Sequence, residues 1–312
     1  MRRFLFVLIA LCLTAATAQA AAAKPLSLSA AAMIGFDNNA HLNAERKDDA
    51  FAEETVTVDW KTDLCEAARL RLSYDLLNIN YFEATDEDVL LQRAGAGLDV
   101  TLKPGTVIET DYEFQFVYFS DNEDVTFYLN RLRAGLRQDL MKGVVATGGF
   151  GVSYREFDSR KLRDPNGALS SDDERSDKLF QPDAGVSWRI DKKTQVNGFF
   201  QYTAQDSDDR FHDFYDYDAS KFAVSLKRAL PWRFIGTAGF SYENRSYDSR
   251  PLVDDKNTDQ SDDIYTASAG LYWKLNKTVT FGGAYSWRQK ESNEPSQSYS
   301  GSIWTLGVFS AF

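Results

Sequence analysis

The last fifteen residues of the chain, Ser298 to Phe312, read S-Y-S-G-S-I-W-T-L-G-V-F-S-A-F. Counted back from the end in steps of two, one set of residues is Phe312, Ser310, Val308, Leu306 and Trp304. The interleaved set is Ala311, Phe309, Gly307, Thr305 and Ile303. Because successive side chains of a β-strand point to opposite faces, this stretch predicts one strand that runs to the end of the chain.

This ending resembles the signal that bacterial outer-membrane β-barrels present to the barrel assembly machinery. The signal has a polar residue, Gly two positions later, an apolar residue and a terminal aromatic residue, here Thr305, Gly307, Ser310 and Phe312. Ser310 departs from the pattern, because the third position is usually apolar or aromatic. The resemblance implies that Thr305, Gly307 and Phe312 direct assembly. It also implies the barrel assembly machinery as a partner and the outer membrane of a Gram-negative bacterium as the location.

The beginning of the chain has the three parts of a secretory signal peptide. Arg2 and Arg3 are charged, residues 4–13 form a short apolar segment, and Ala18-Gln19-Ala20 has the form of a cleavage site. The apolar segment is too short for a membrane-spanning helix. We therefore predict a signal peptide at residues 1–20, which is removed, and a barrel at residues 21–312.

The composition narrows the class of protein further. The chain carries a net charge of −11, which argues against nucleic acid as a partner because nucleic acid is bound by basic surfaces. No later apolar run approaches the length of about 18 residues that a transmembrane helix needs. Aromatic residues make up 14% of the chain, a composition that suits many strands with one apolar and one polar face. Only Cys65 remains after the signal peptide, so the fold has no internal disulfide.

Alternation of apolar and polar residues predicts about fourteen strands and an all-β fold. The predicted strands lie near 26–36, 54–60, 67–82, 89–102, 106–120, 126–140, 143–157, 178–191, 194–206, 216–229, 231–246, 263–276, 278–290 and 298–312. Short and long connections between these strands alternate along the chain. That asymmetry is typical of a transmembrane, antiparallel, up-and-down barrel with short periplasmic turns and longer extracellular loops.

The longer connections are acidic and are predicted near 37–53, 83–88, 121–125, 158–177, 207–215, 247–262 and 291–297. They contain carboxylate clusters such as Asp172-Asp173-Glu174 and Asp254-Asp255. Carboxylates can bind Ca²⁺ or Mg²⁺, but no calcium-loop spacing is present. We therefore interpret these clusters as solvated loop residues and predict no metal site.

Two faces can be separated on each strand. On 106–120 one face carries Ile108, Tyr112 and Phe114, and the other carries Glu109, Asp111 and Glu113. A soluble sandwich would also alternate, but the signal peptide and the terminal Phe favour a barrel in the outer membrane. In that barrel the apolar faces contact lipid and lipopolysaccharide, and the charged faces line the interior. Six aromatic residues near strand ends are expected at the membrane interfaces, namely Trp60, Trp188, Trp232, Trp273, Tyr272 and Trp304.

The charged interior is the candidate functional site. The residues expected to shape a constriction are Glu109, Asp111, Glu113, Arg131, Arg133, Arg137, Arg93, Arg69 and Arg71. We predict a register that places Glu113 opposite Arg133 and Glu109 opposite Arg137. Two interpretations remain open at this point: the charges only brace the wall by pairing, or they select solutes in a charged constriction. Polar uncharged side chains on other strands, from Gln195 to Gln205, suit water and sugar hydroxyls.

The first strand ends in Gly35-Phe36-Asp37-Asn38-Asn39, followed by Ala40-His41-Leu42. This run resembles the first strand of the barrel in the surface lipoprotein assembly modifier family and in exopolysaccharide-export systems. The resemblance implies a fourteen-stranded barrel and, as a function, export with a periplasmic partner. Members of that family usually carry a helical repeat region ahead of the barrel, and this sequence shows none.

The function predicted first is a porin-like channel for small hydrophilic solutes, either saccharides or anions. The alternatives are an export or assembly barrel that works with a periplasmic partner, and a closed structural or adhesive barrel. The two histidines, His41 and His212, fall in predicted outer loops without a nucleophile motif, so we predict no enzymatic activity. No cofactor motif is present, and we predict no cofactor.

Overall fold

A computed structural model describes residues 25–43, 47–121, 123–163, 168–208 and 213–312. The predicted signal peptide, residues 1–20, lies outside them. Fourteen strands form one closed antiparallel barrel in which each strand pairs with its neighbours in sequence and β1 pairs with β14. The strands are β1 Leu26–Asp37, β2 Asp49–Cys65, β3 Ala68–Tyr81, β4 Val89–Lys103, β5 Thr106–Phe119, β6 Phe127–Met141, β7 Val144–Arg163, β8 Leu169–Arg189, β9 Thr194–Ser207, β10 Tyr217–Ala229, β11 Phe234–Pro251, β12 Asp259–Lys274, β13 Val279–Ser292 and β14 Tyr299–Ala311. The predicted fold and strand count are confirmed.

Several strands extend further toward the outer loops than the sequence predicted. β2 begins at Asp49, and β7 and β8 reach Arg163 and Leu169, so most of the predicted loop 158–177 is strand. The predicted loop 247–262 shrinks in the same way, because β11 and β12 extend into it. About 9–11 residues suffice for a strand to cross the membrane, so these extensions continue the barrel wall beyond it. The sequence prediction treated these polar, acidic segments as loops. It was wrong because strand pairing continues outside the lipid.

The opposite end of the barrel carries the short turns and both ends of the barrel chain. Gly105 and Gly143 adopt positive φ angles of 81° and 82° in two of these turns, a conformation that glycine adopts without strain. In outer-membrane barrels this end faces the periplasm. Among the described residues, no helix is long and apolar enough to cross a membrane.

The outer wall of the barrel is apolar. Side chains such as Phe222, Leu132 and Leu306 have more than half of their surface uncovered by protein. A continuous apolar surface on a closed barrel is stable in lipid and unstable in water. The protein is therefore an outer-membrane barrel, in contact with membrane lipid.

Most of the predicted interfacial aromatic residues lie on this outer wall. Trp188, Trp232, Trp273 and Trp304 are exposed there. The prediction for Tyr272 is wrong, because this ring faces the interior and contacts Phe309 at 5.5 Å between ring centroids. Gly282 opposite Tyr272 leaves the space that the ring occupies.

The barrel closes where β14 pairs with β1. The register runs from Ser29 opposite Ala311 to Asp37 opposite Ile303, and the Phe312 backbone N–H donates to the Leu28 carbonyl at 2.8 Å. Thr305 and Gly307 both lie in this seam, opposite Gly35 and Met33. Their role, with Phe312, as an assembly signal stays a prediction.

Candidate functional site

Charged side chains from β2 to β6 surround a cavity of about 380 Å³ inside the barrel. Alternation along each strand turns these residues inward, opposite the apolar residues that meet lipid. The charged residues that line it are Asp59, Lys61, Arg71, Asp75, Arg93, Asp111, Glu113, Arg131 and Arg133. Of the predicted site residues, Glu109, Arg137 and Arg69 do not line this cavity. Arg69 and Arg137 line a smaller pocket toward the periplasmic end.

The predicted register between β5 and β6 is wrong by two residues. Glu113 lies opposite Arg131, Asp111 opposite Arg133, and Glu109 opposite Gly135. A shift of two residues leaves every side chain on its predicted face, which is why the predicted set still points inward. The shift does change which charges meet.

The ion pairs of this wall join neighbouring strands and, in two cases, strands that are separated by a third. Arg71 reaches Asp99 at 2.8 Å and, across β4, Asp111 at 2.7 Å. Arg93 lies 3.5 Å from Glu113 on the neighbouring strand β5, although the residue directly opposite Arg93 is Gln115. These contacts pair four of the predicted site residues within the wall itself, namely Arg71, Arg93, Asp111 and Glu113.

Arg133 on β6 forms a pair with two hydrogen bonds to Asp183 on β8. Its two hydrogen bonds measure 2.6 and 2.8 Å, and the Asp183 side chain is only 5% exposed. This planar, two-bond geometry is the favoured arrangement of guanidinium and carboxylate. The sequence prediction missed Asp183. This residue lies two strands away from Arg133, whereas the prediction paired charges only between neighbouring strands.

The predicted Glu109–Arg137 contact exists, at 3.0 Å, although the two residues are not directly opposite. Arg69 pairs with Asp63 near the periplasmic end, at 2.7 Å, and both side chains are more than half exposed. Exposed pairs of this kind contribute roughly 0–1 kcal/mol. Arg69 therefore belongs to the periplasmic rim of the interior.

Glycines under the arginines let the guanidinium groups lie against the wall. A Cβ atom at Gly97 would come within 2.5 Å of Asp111 Oδ1 and 2.8 Å of Arg71 Nη2. A Cβ atom at Gly149 would come within 2.7 Å of Arg133 Nη2. With larger residues at these positions, the arginine side chains would have to project further into the interior. The cavity therefore depends on glycine at these positions.

Arg131 differs from its neighbours. Among the described residues, no carboxylate lies within ion-pairing distance of Arg131, and its buried Nε atom has no hydrogen-bond partner. Its guanidinium lies over Gly151, where a Cβ atom would stand 3.2 Å from Nε. A guanidinium stays charged in proteins, so Arg131 presents an uncompensated positive charge to the cavity.

The outer end of the interior holds a second, more buried set of charges that the sequence prediction missed. Asp177 is fully buried between Arg175 at 2.8 Å and Arg155 at 3.5 Å. Asp37 is fully buried against Arg288 at 2.5 Å. Asp262, predicted as a solvated loop residue, is also fully buried and pairs with Lys290 at 2.8 Å. That prediction was wrong, because the strand β12 carries Asp262 into the interior.

Inward-facing aromatic rings accompany these charges. Arg175 stacks on the Tyr215 ring at 3.7 Å, and Arg245 lies 4.5 Å from the Tyr217 ring. The rings of Tyr217 and Tyr247 lie 5.7 Å apart. The sequence prediction places the apolar faces against lipid, so it did not place these aromatic rings in the interior. The outer end of the interior is therefore narrow, while residues toward the periplasmic end, such as Lys61 and Lys227, are exposed.

The predicted polar wall is present on β9. Gln195 donates to Ser187 at 3.0 Å and to Asn197 at 2.9 Å, and Asn197 donates to Ser225 at 3.1 Å. These amides form a ladder along the inside of the wall. His212, predicted to lie in an outer loop, is outside the described residues.

Comparison with known proteins agrees with this architecture. A family model described as "Putative beta-barrel porin 2" matches residues 167–312, a little under half of the chain. No curated protein matches the sequence. The matching family is a porin family, so the resemblance of residues 35–42 to the surface lipoprotein assembly modifier family stays a prediction.

Several solved barrels superpose on nearly the whole chain. An anion-selective porin from Comamonas acidovorans is 8% identical, with 92% of this chain and 98% of that chain covered and a TM-score of 0.52. The CymD monoaromatic hydrocarbon channel is 10% identical, with 93% and 89% covered and a TM-score of 0.53. OprB from Pseudomonas putida is 9% identical, with 92% and 94% covered and a TM-score of 0.50. At this identity the likeness establishes the fold, that of an outer-membrane porin barrel.

Proposed function

We propose that this barrel is a passive, water-filled channel that lets small hydrophilic solutes cross the outer membrane, with anions and acidic saccharides favoured. The observation that carries the proposal is Arg131, an unpaired guanidinium that faces a cavity inside the barrel. Proteins with this fold have diverse functions, so the fold alone does not establish the solute. The anion-selective porin among the structural neighbours agrees with the proposal without carrying it.

The charge balance of the cavity supports a preference for anions. Arg71, Arg93 and Arg133 each have a carboxylate partner within the wall, whereas Arg131 has none among the described residues. A carboxylate or phosphate group of a solute can accept two hydrogen bonds from a guanidinium. A cation entering the same cavity would meet an uncompensated positive charge.

The amide and hydroxyl ladder of β8 to β10 supports the saccharide part of the proposal. Sugar hydroxyls need many weak donors and acceptors, and Gln195, Asn197 and Ser225 offer both. A solute with hydroxyl groups and one acidic group would match the polar wall and Arg131 together.

Ion selectivity in a planar bilayer tests this proposal directly. The refolded protein would be compared with Arg131→Ala and Arg131→Lys by reversal potential across a KCl gradient. We expect an anion preference that falls about two- to fivefold in Arg131→Ala, since one charge in water at contact distance contributes about 1 kcal/mol. The Arg131→Lys variant keeps the charge and should keep most of the preference.

The matched control is Arg228→Ala. It removes a positive charge of the same kind from the face of β10 that points away from the interior. It should leave the selectivity unchanged. Steady current with equal selectivity in Arg131→Ala and the parent protein would refute the role of Arg131. No current from folded, inserted protein would refute the channel itself, and would favour a partner-dependent export barrel or a closed structural barrel.

A further inference from the structure

Two loops at the outer mouth bring one imidazole and two carboxylates together. His41 follows β1, and Asp86 and Glu87 lie in a short 3₁₀ turn, Thr85–Glu87, between β3 and β4. His41 Nδ1 lies 3.1 Å from Glu87 Oε1 and 3.7 Å from Asp86 Oδ2. One ligand atom from each residue can be chosen so that all three lie within 4.8 Å of one another.

These distances match the edges of a tetrahedral metal site. Zinc binds histidine nitrogen at about 2.0–2.1 Å and carboxylate oxygen at about 2.0–2.2 Å, so two ligand atoms of a tetrahedron lie about 3.3–3.5 Å apart. The two nitrogen–oxygen distances, 3.1 and 3.7 Å, lie on either side of that value. The two carboxylates and the imidazole could supply three corners of such a site, and water could occupy the fourth.

The backbone holds both halves of this cluster in place. Asp49 at the start of β2 accepts hydrogen bonds from the backbone N–H groups of Glu83 and Ala84, each at 2.8 Å. This contact ties the base of the 3₁₀ turn to the loop that carries His41. On the other side Asn39 is fully buried, and its backbone N–H donates to Asp37 at 2.9 Å. The backbone next to each ligand is therefore held by hydrogen bonds.

Neither carboxylate has another cationic partner within ion-pairing distance among the described residues. The His41 side chain is 19% exposed, which shields the cluster while leaving it open to solvent. One imidazole with two carboxylates is a ligand set that suits borderline divalent ions such as Zn²⁺, and suits Ca²⁺ and Mg²⁺ poorly because those ions prefer oxygen alone.

We propose that His41, Asp86 and Glu87 form a binding site for a divalent transition-metal ion of the Zn²⁺ class at the outer mouth of the barrel. The bound ion would connect the β1–β2 loop to the β3–β4 loop. Because an ion that binds only the folded protein stabilises it, loading would fix these two loops beside the narrow outer end of the interior. The site is independent of the proposed solute channel.

Isothermal titration of the refolded, chelator-treated protein with ZnCl₂ tests the site. We expect one Zn²⁺ to bind per chain. The affinity should fall about 100-fold or more in His41→Ala and about tenfold in Glu87→Gln. Loss of an outer-shell partner already costs about 10–100-fold in metal affinity, and loss of a ligand should cost at least as much. Glu87→Gln keeps a hydrogen-bond acceptor for His41 and guards against a loss of folding. MgCl₂ in place of ZnCl₂ should give no comparable heat.

The chain supplies its own control, because His212 is the other histidine. His212→Ala should bind Zn²⁺ as the parent protein does. Absence of binding by the folded parent protein would overturn the proposal. Equal binding by His41→Ala, or loss of binding in His212→Ala, would overturn it too.

Discussion

Gly97 shows how one missing side chain shapes the interior. A methyl group there would overlap the ends of Asp111 and Arg71, two flexible side chains that line the cavity. We expect Gly97→Ala to destabilise the barrel by about 1–3 kcal/mol, the usual cost of overpacking, and to lower the single-channel conductance. Urea unfolding in lipid vesicles and planar-bilayer recording measure the two effects.

Gly198→Ala is the matched control for this change. Gly198 lies on a strand as Gly97 does, but a Cβ atom there would meet no heavy atom within 4 Å. It should leave both stability and conductance close to those of the parent protein. If Gly97→Ala and Gly198→Ala behave alike, the packing of arginines over glycine does not determine the size of the cavity.

At the scale of residues, the sequence predicted which face each charged side chain occupies, but not its partner. Alternation determines the face because its period is two, and for the same reason it cannot distinguish registers that differ by two residues. The register between β5 and β6 depends on the connection between them, which contains a 3₁₀ turn, Glu123–Val125. Neither that turn nor the Arg133–Asp183 pair, which spans β7, has a signal in local sequence.

The connection between β9 and β10 should respond to pH. Asp216 lies just before β10, and burial, together with Asp206, Asp213 and Asp248, raises its pKa from 3.8 to about 6. The folded protein therefore takes up a proton at Asp216 more readily than an unfolded chain does. Its stability rises as the pH falls through about 6, and the gain is complete below about 4. Above pH 6 the charged Asp216 carboxylate destabilises the folded protein.

We expect slower protease cleavage in residues 213–216 at pH 5 than at pH 7.5. Asp216→Asn should remove most of this difference, because Asn keeps an acceptor for the Ser207 backbone N–H but carries no charge. Asp255→Asn, in the β11–β12 connection, is the control, since hydrogen bonds from Thr258 and Asn257 lower the pKa of Asp255. Cleavage that is equally fast at both pH values in the parent protein would contradict the role of Asp216.

The last strand offers a test of the predicted assembly signal. In the structure the Phe312 backbone bonds to Leu28, whereas its side chain is not needed for strand pairing. We expect Phe312→Ala to reduce the amount of folded barrel in the outer membrane of cells, and to refold into detergent as the parent protein does. Heat-modifiable migration on gels measures both. Reduced refolding in detergent would assign Phe312 a role in stability instead.

At the scale of elements, the existence and order of all fourteen strands could be predicted, while the outer ends of β2, β7, β8, β11 and β12 could not. Alternation of apolar and polar residues requires one apolar face, and a strand has that face only where it contacts lipid. Beyond the membrane both faces of a strand are polar, so alternation disappears while pairing between backbones continues. The acidic stretch 172–174 looked like a loop for this reason, although it lies in β8.

At the scale of the whole molecule, the interior is not uniform from end to end. Fully buried charges, among them Asp37, Asp177 and Asp262, lie at the outer end, whereas Lys61 and Lys227 near the periplasmic end are exposed. A charge is stable in such a buried place only with a partner, and each of these aspartates has one. The narrowest part of the path should therefore lie at the outer end, beyond the constriction that the sequence predicted.

Tyr247 and Phe199 allow that position to be tested with two similar changes. Tyr247 is buried at the outer end beside Tyr217, while Phe199 on β9 is 39% exposed, toward the periplasmic half. If the outer end limits the current, Tyr247→Ala should raise the single-channel conductance and Phe199→Ala should change it little, because resistance concentrates at the narrowest section. Tyr247→Ala should also cost about 3 kcal/mol of stability, as a truncated buried aromatic does. A larger rise in Phe199→Ala would place the limiting section in the periplasmic half instead.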